Sequence, residues 1–132
     1  MDQNQPRARV LVVDDEADLI RILEFGLKSM GYAVETASDG QEGLKKAREM
    51  KPDIILLDLM LPKLDGYKVC RLLKFDERYK NIPIIILSAR TQEGDQSLAM
   101  EMGANRFITK PYDFSEVMNH IETLLKSVPT GR

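Results

Sequence analysis

Pro52-Asp53-Ile54-Ile55-Leu56-Leu57-Asp58 holds an unbroken apolar run that starts after a proline and closes on a carboxylate. Four successive apolar residues leave no polar face. A strand of this kind is buried on both sides, as in a parallel sheet covered by helices above and below. The carboxylate that ends it lies at the strand's carboxyl end, the edge where open parallel sheets hold their ligands.

Two further runs share that form. Ala8 to Val13 precedes Asp14-Asp15-Glu16, and Ile84-Ile85-Ile86-Leu87 precedes Ser88. Ala33 to Ala37 and Arg106-Phe107-Ile108-Thr109 are shorter strand candidates, the second followed by Lys110-Pro111. Helical patterns fill the gaps. Leu19, Ile22, Leu23 and Leu27 recur at helical spacing before Gly31, which suits a helix stop. Ser38-Asp39-Gly40-Gln41 carries cap chemistry for a helix to about Met50. Val69, Leu72 and Leu73 stripe a third helix after Pro62 and Gly66, and a fourth covers roughly Asp95 to Met102. Phe114, Val117, Ile121, Leu124 and Leu125 stripe the last, with Asp113 and Glu116 spaced as a capping pair.

Five strand-helix pairs in strict alternation predict an α/β fold: one doubly wound (βα)5 domain with a parallel five-stranded sheet of order 2-1-3-4-5, flavodoxin-like. The domain is expected over 8–127, with polar tails at 1–7 and 128–132. At 132 residues the chain has room for one core. Its net charge of -2 argues against direct nucleic-acid binding. A lone cysteine, Cys70, allows no intrachain disulfide, and no apolar run is long enough for membrane insertion. A cytoplasmic location is expected.

The predicted topology gathers the polar residues at strand ends. With strands one and three adjacent, Asp14, Asp15 and Asp58 converge in one cleft. Crowded carboxylates either raise a pKa or recruit a cation, and Mg²⁺ suits carboxylates that share it with phosphate oxygens. The Lys110 ammonium and Ser88 hydroxyl suit a phosphoryl group. One carboxylate free to attack would form an aspartyl phosphate.

The sequence resembles the receiver domain of two-component response regulators, over about Arg9 to Lys126. The resemblance rests on Val12-Val13-Asp14-Asp15-Glu16, Asp58-Leu59-Met60-Leu61-Pro62-Lys63-Leu64-Asp65-Gly66, Leu87-Ser88-Ala89, Gly103-Ala104 with Phe107, and Lys110-Pro111. It implies that Asp58 accepts the phosphoryl group, with Lys110 as phosphate partner. It implies Mg²⁺ held by Asp15, Asp58 and the backbone carbonyl of Met60, with Asp14 acting through water. Ser88 and Phe107 would be the switch pair, and the Lys110-Pro111 bond would be cis. The implied partners are a histidine kinase or histidine phosphotransfer protein. The implied output is a downstream protein, or an effector domain of the same regulator, on the face formed by the fourth helix, fifth strand and fifth helix. The chain would catalyse its own phosphorylation and slow dephosphorylation rather than act as an enzyme on an outside substrate.

Simpler readings stand beside these. Asp14-Asp15 can cap the first helix, Asp58 can be a solvated strand end, and Phe107 can be core. His120 and Cys70 read as ordinary helix residues. Asp65 and Gly66 read as loop-shaping. Met60 and Arg90 flank the reaction position, where a bulky side chain would slow loss of the phosphoryl group. Asn105-Arg106 and Asp95-Gln96 depart from the charge pattern of receivers that feed winged-helix DNA-binding domains. Three other functions compete. A flavin or nucleotide carrier lacks its phosphate loop after strand one. An aspartyl phosphatase lacks a second carboxylate at position 60. A phosphorylation-independent interaction module would have a broken acidic site, and here it is intact.

Overall fold

The computed structural model describes residues 7–89 and 94–127. Strands and helices alternate as β1 Arg9–Val13, α1 Ala17–Ser29, β2 Ala33–Ala37, α2 Gly40–Met50, β3 Ile54–Leu57, α3 Gly66–Lys74, β4 Ile84–Ser88, α4 Asp95–Glu101, β5 Arg106–Thr109 and α5 Phe114–Ser127. All neighbouring strands pair in parallel, in the order β2-β1-β3-β4-β5. The expected topology is therefore the observed one.

The all-apolar strands supply two cores at once, because successive side chains point to opposite faces. Leu11, Val13, Ile55, Leu57, Ile84 and Ile86 enter one core, under α2, α3 and Ala99 of α4. Val10, Val12, Ile54, Leu56, Ile85 and Leu87 enter the other, under α1 and α5. Moving any of these strands by one residue would exchange the two sets, so packing fixes the register.

Local chemistry sets the helix ends. Asp39 caps α2 by accepting from the Glu42 N–H at 2.8 Å, while the Glu42 carboxylate accepts from the Ser38 N–H at 2.8 Å. The cap lies within the stretch the sequence marked, but it is made by Asp39 and Glu42, with Glu42 reaching the N–H one residue before the N-cap. Asp65 caps α3 through the Lys68 N–H at 3.0 Å. Gly31, just past α1, has φ +94°, a left-handed turn open to glycine.

Several expectations need correction. Ile22 and Leu72 share the helical spacing of the apolar stripes, yet they are 64% and 44% exposed. α3 turns Val69, Cys70 and Leu73 inward instead. Spacing alone does not separate two apolar residues on opposite flanks of one helix. Arg7, assigned to the polar tail, is tied down. Its N–H donates to the Gly31 carbonyl at 2.9 Å, and its guanidinium lies 4.8 Å from the Tyr32 ring centre. The tails at 1–6 and 128–132, and Arg90, lie outside the described residues.

Candidate functional site

Strand register builds the site. Val13 pairs with Leu57, so the residues that follow, Asp14 and Asp58, leave adjacent strands side by side. The Asp58 N–H donates to the Val13 carbonyl at 3.0 Å, extending the ladder one step past β3. Ser88 pairs with Thr109, and the Lys110 N–H donates to the Ser88 carbonyl at 3.0 Å. Four residues far apart in sequence thus reach one edge of the sheet.

Lys110 closes the cleft. Its ammonium donates to Asp14 Oδ2 at 2.9 Å, Glu16 Oε1 at 3.0 Å and Asp58 Oδ2 at 3.3 Å. Local backbone holds the other oxygen of each buried acid. The Glu16 N–H donates to Asp14 Oδ1 at 2.9 Å, and the Met60 N–H to Asp58 Oδ1 at 3.1 Å. Both aspartates are therefore fixed at one oxygen and shared with a cation at the other. Desolvation holds the Asp14 carboxyl above its usual range, with the Lys110 bond acting against it. For Lys110, burial works against the charge, but the hydrogen bonds to Asp14 and Glu16 outweigh it and raise the pKa.

The loop after Asp58 is held from beneath. Gly66 opens α3, and a Cβ there would sit 2.2 Å from the Asp58 carbonyl oxygen. The Gly66 N–H donates to the Leu59 carbonyl at 3.0 Å. Lys63 has φ +70° where the Leu64 N–H turns back to the Pro62 carbonyl at 2.8 Å, a tight three-residue turn. Asp65 and Gly66 thus shape the loop, as their sequence reading held.

Other expected residues fall as follows. Ser88 is 1% exposed, and among the described residues its hydroxyl has no hydrogen-bond partner. A buried hydroxyl left unsatisfied is costly, and this one is a ready donor at the strand ends. Phe107 is half-buried against the α3-side core. The Lys110-Pro111 bond is cis. The Met60 side chain is 68% exposed. Asp15 is exposed, outside the group of Asp14, Glu16 and Asp58, which bring one oxygen each to within 4.8 Å of one another. That group of oxygen donors, with the unsatisfied Ser88 hydroxyl, fits a hard divalent cation and a phosphoryl group. The N-cap of α1 is Glu16, not Asp14 or Asp15, and its side chain makes no cap bond, while the Asp14 side chain accepts the N–H of that N-cap residue.

Sequence reasoning passed over two residues. Glu16 joins the cleft although it stood only as the tail of an acidic run; its place two residues after Asp14 was the available signal. Tyr112 has a buried hydroxyl with no partner among the described residues, and burial pushes its pKa up to about 12. His120 is half-buried on α5. Cys70 is buried, its thiol pushed up to about 11 by desolvation. Asn105, noted as a departure, is structural. Its side-chain oxygen accepts from Lys74 Nζ and from the Ile84 N–H, each at 2.9 Å.

Comparison with known proteins gives a concordant result. Residues 10–122 match the family model of the response regulator receiver domain. The chain is 45% identical over 118 residues to the alkaline phosphatase synthesis transcriptional regulatory protein PhoP of Bacillus subtilis, covering 89% of this chain and 48% of that protein. It is 39% identical to the DNA-binding dual master transcriptional regulator RpaA of Synechocystis, covering 89% and 49%. The chain thus spans about half the length of these relatives. Among solved structures it resembles the signal receiver domain of a histidine kinase from Syntrophus aciditrophicus, with TM-score 0.88, 31% identity and 95% of each chain covered. It also resembles the chemotaxis response regulator CheY4 of Vibrio cholerae, with TM-score 0.82 and 29% identity, over 89% of this chain and 98% of that one. Sheet order, acidic cleft and family match agree: the chain belongs to the response regulator receiver domains.

Proposed function

We propose that Asp58 is the phosphoacceptor. One observation carries the reading: Asp58 is a buried carboxylate at a strand end, with one oxygen fixed by the Met60 N–H and the other 3.3 Å from the Lys110 ammonium. Attack by an Asp58 oxygen on a phosphohistidine forms the O–P bond and breaks the N–P bond. The imidazole leaves with the electron pair and takes up a proton. Lys110 pairs with the phosphoryl oxygens as charge moves onto them. The Ser88 hydroxyl then gains the acceptor it lacks. Mg²⁺, when bound, supplies positive charge to the transferring oxygens. Asp14, Asp58, Asp15 and the Met60 carbonyl are the groups assigned to hold it, Asp14 through water. Turnover is limited to self-phosphorylation and slow loss of the phosphoryl group.

The donor is a histidine kinase or a histidine phosphotransfer protein. Output runs through the face of α4, β5 and α5, where Ser88 and Phe107 move together and shift a two-state population. A downstream protein, or an effector domain of the same regulator, reads that face. Direct contact with nucleic acid is not part of the reading. Among the described residues, no helix is long and apolar enough to cross a membrane.

The test is intact-mass spectrometry after incubation with acetyl phosphate, with and without Mg²⁺, on wild type and Asp58→Asn. The expected result is one phosphoryl group gained, dependent on both Mg²⁺ and Asp58. No gain in a folded protein that binds Mg²⁺ would leave only an interaction module.

A further inference from the structure

Glu16 is the member of the cleft to which the phosphoacceptor reading gives no task. Its backbone already serves as the N-cap of α1, and no side-chain bond goes to that helix. The carboxylate reaches instead to Lys110, at 3.0 Å. The partners of this ammonium differ sharply in exposure. The side chains of Asp14 and Asp58 are 3% and 6% exposed, whereas that of Glu16 is 62% exposed. The two buried acids are pinned, and the third can swing.

An ammonium has three donors, and each carboxylate here takes one. The Oδ1 atoms of Asp14 and Asp58 are held by backbone N–H groups, and both Oδ2 atoms are held by Lys110. A divalent cation entering the cleft therefore competes with Lys110 for the same oxygens. If the ammonium had only those two acids, displacing it would strand a half-buried charge, which is costly. Glu16 offers the ammonium a partner outside the set assigned above to hold the cation.

Resting on the phosphoacceptor reading above, we propose that Glu16 is a positioning residue for the cation site, which receives the Lys110 ammonium as a divalent ion claims Asp14 and Asp58. Cation affinity then depends on both the charge and the reach of Glu16. Glu16→Gln removes the charge. Glu16→Asp keeps the charge and shortens the reach by one methylene. A bystander surface glutamate would tolerate either change.

The probe is Mn²⁺, its free concentration read by electron paramagnetic resonance, with Mg²⁺ as competitor. The whole chain is used as wild type, Glu16→Gln, Glu16→Asp and Asp58→Asn. A unit charge within about 5 Å of a divalent ion at a screened surface predicts roughly tenfold weaker binding for Glu16→Gln. Glu16→Asp is expected to fall between that variant and wild type. The ¹⁵Nζ signal of Lys110 provides a second readout. In wild type it should stay protected from solvent exchange when Mg²⁺ is added, and in Glu16→Gln it should lose that protection. Far-ultraviolet circular dichroism checks that each variant is folded.

Glu16→Gln within twofold of wild type would overturn the proposal. So would Glu16→Asp equal to wild type with Lys110 still protected, since charge alone would then suffice. Loss of Mn²⁺ binding in Asp58→Asn but not in Glu16→Gln would leave the phosphoacceptor reading standing and remove this one. Wild-type protein that neither binds Mn²⁺ nor takes a phosphoryl group would remove both.

Discussion

Replacing Gly66 by alanine tests how rigidly the fold holds Asp58. The added Cβ would meet the Asp58 carbonyl oxygen at 2.2 Å and the Leu59 Cα at 2.6 Å, against 3.4 Å for ordinary contact. The shortfall to the oxygen, 3.4 minus 2.2, is 1.2 Å. Both obstacles are backbone, so no side chain can rotate out of the way. Relief requires α3 to lift or the phosphoacceptor loop to move. Overpacking of this kind costs about 1–3 kcal/mol. Alanine's better helix propensity returns less than about 1 kcal/mol, and less still at a first helical position. The expected loss is about 2 kcal/mol, or roughly 6–12 °C in Tm for a domain of this size. Urea unfolding followed at 222 nm measures it, with the slope expected to stay unchanged. Acetyl phosphate labelling should fall with it, because Asp58 moves when its own carbonyl is displaced. Gly94→Ala is the control. Its φ is +98°, but among the described residues no atom beyond its chain neighbours lies within 4 Å of the new Cβ. It should cost about 1 kcal/mol through backbone strain alone and leave labelling intact. Stability within about 0.5 kcal/mol of wild type for Gly66→Ala, with full labelling, would refute the reasoning.

Ser88→Ala removes a buried hydroxyl that has no partner among the described residues, so stability should hold or rise by up to about 1 kcal/mol. Phosphorylation of Asp58 should persist in that variant, while the chemical-shift change at Phe107 on phosphorylation is lost; an unchanged Phe107 response would count against the switch pair. For Asp14→Asn the sign follows from burial, which raises the Asp14 pKa in the folded state. A group raised on folding gives stability that is full below its unfolded pKa and lost as pH rises through the folded one. At pH 7 wild type has lost that contribution and the asparagine variant has not, so the variant should be the more stable of the two while binding Mg²⁺ poorly. The gap should close as pH falls below about 4, and denaturant titrations at pH 7 and pH 3.5 would show it. Cys70 is 1% exposed and its thiol is raised to about 11, so at pH 8 N-ethylmaleimide should label it only as fast as the protein opens. Rapid stoichiometric labelling of the native protein would mean that α3 does not pack as described.

Much of this protein can be read from residue order. Apolar runs without a polar face, each ended by a polar residue, give a doubly wound parallel sheet, because only strands covered on both faces tolerate such runs. The reactive residues are legible for the same reason: Asp14, Asp58 and Lys110 each follow a strand and Ser88 ends one, and parallel strands bring their carboxyl ends to one edge. Tertiary structure decided what periodicity does not encode. Ile22 and Leu72 share the helical spacing of their buried neighbours, and only the placement of the sheet shows that they face outward. Glu16 sits one residue beyond Asp15 in the same acidic run. Only the turn closed by the Glu16 N–H on Asp14, and the reach of Lys110 from β5, draws its carboxylate into the cleft and leaves that of Asp15 outside the group. Local patterns fix which face of an element is apolar and where it ends. Which polar side chains meet depends on angles and distances of a few ångströms between distant segments, which packing sets and spacing does not record.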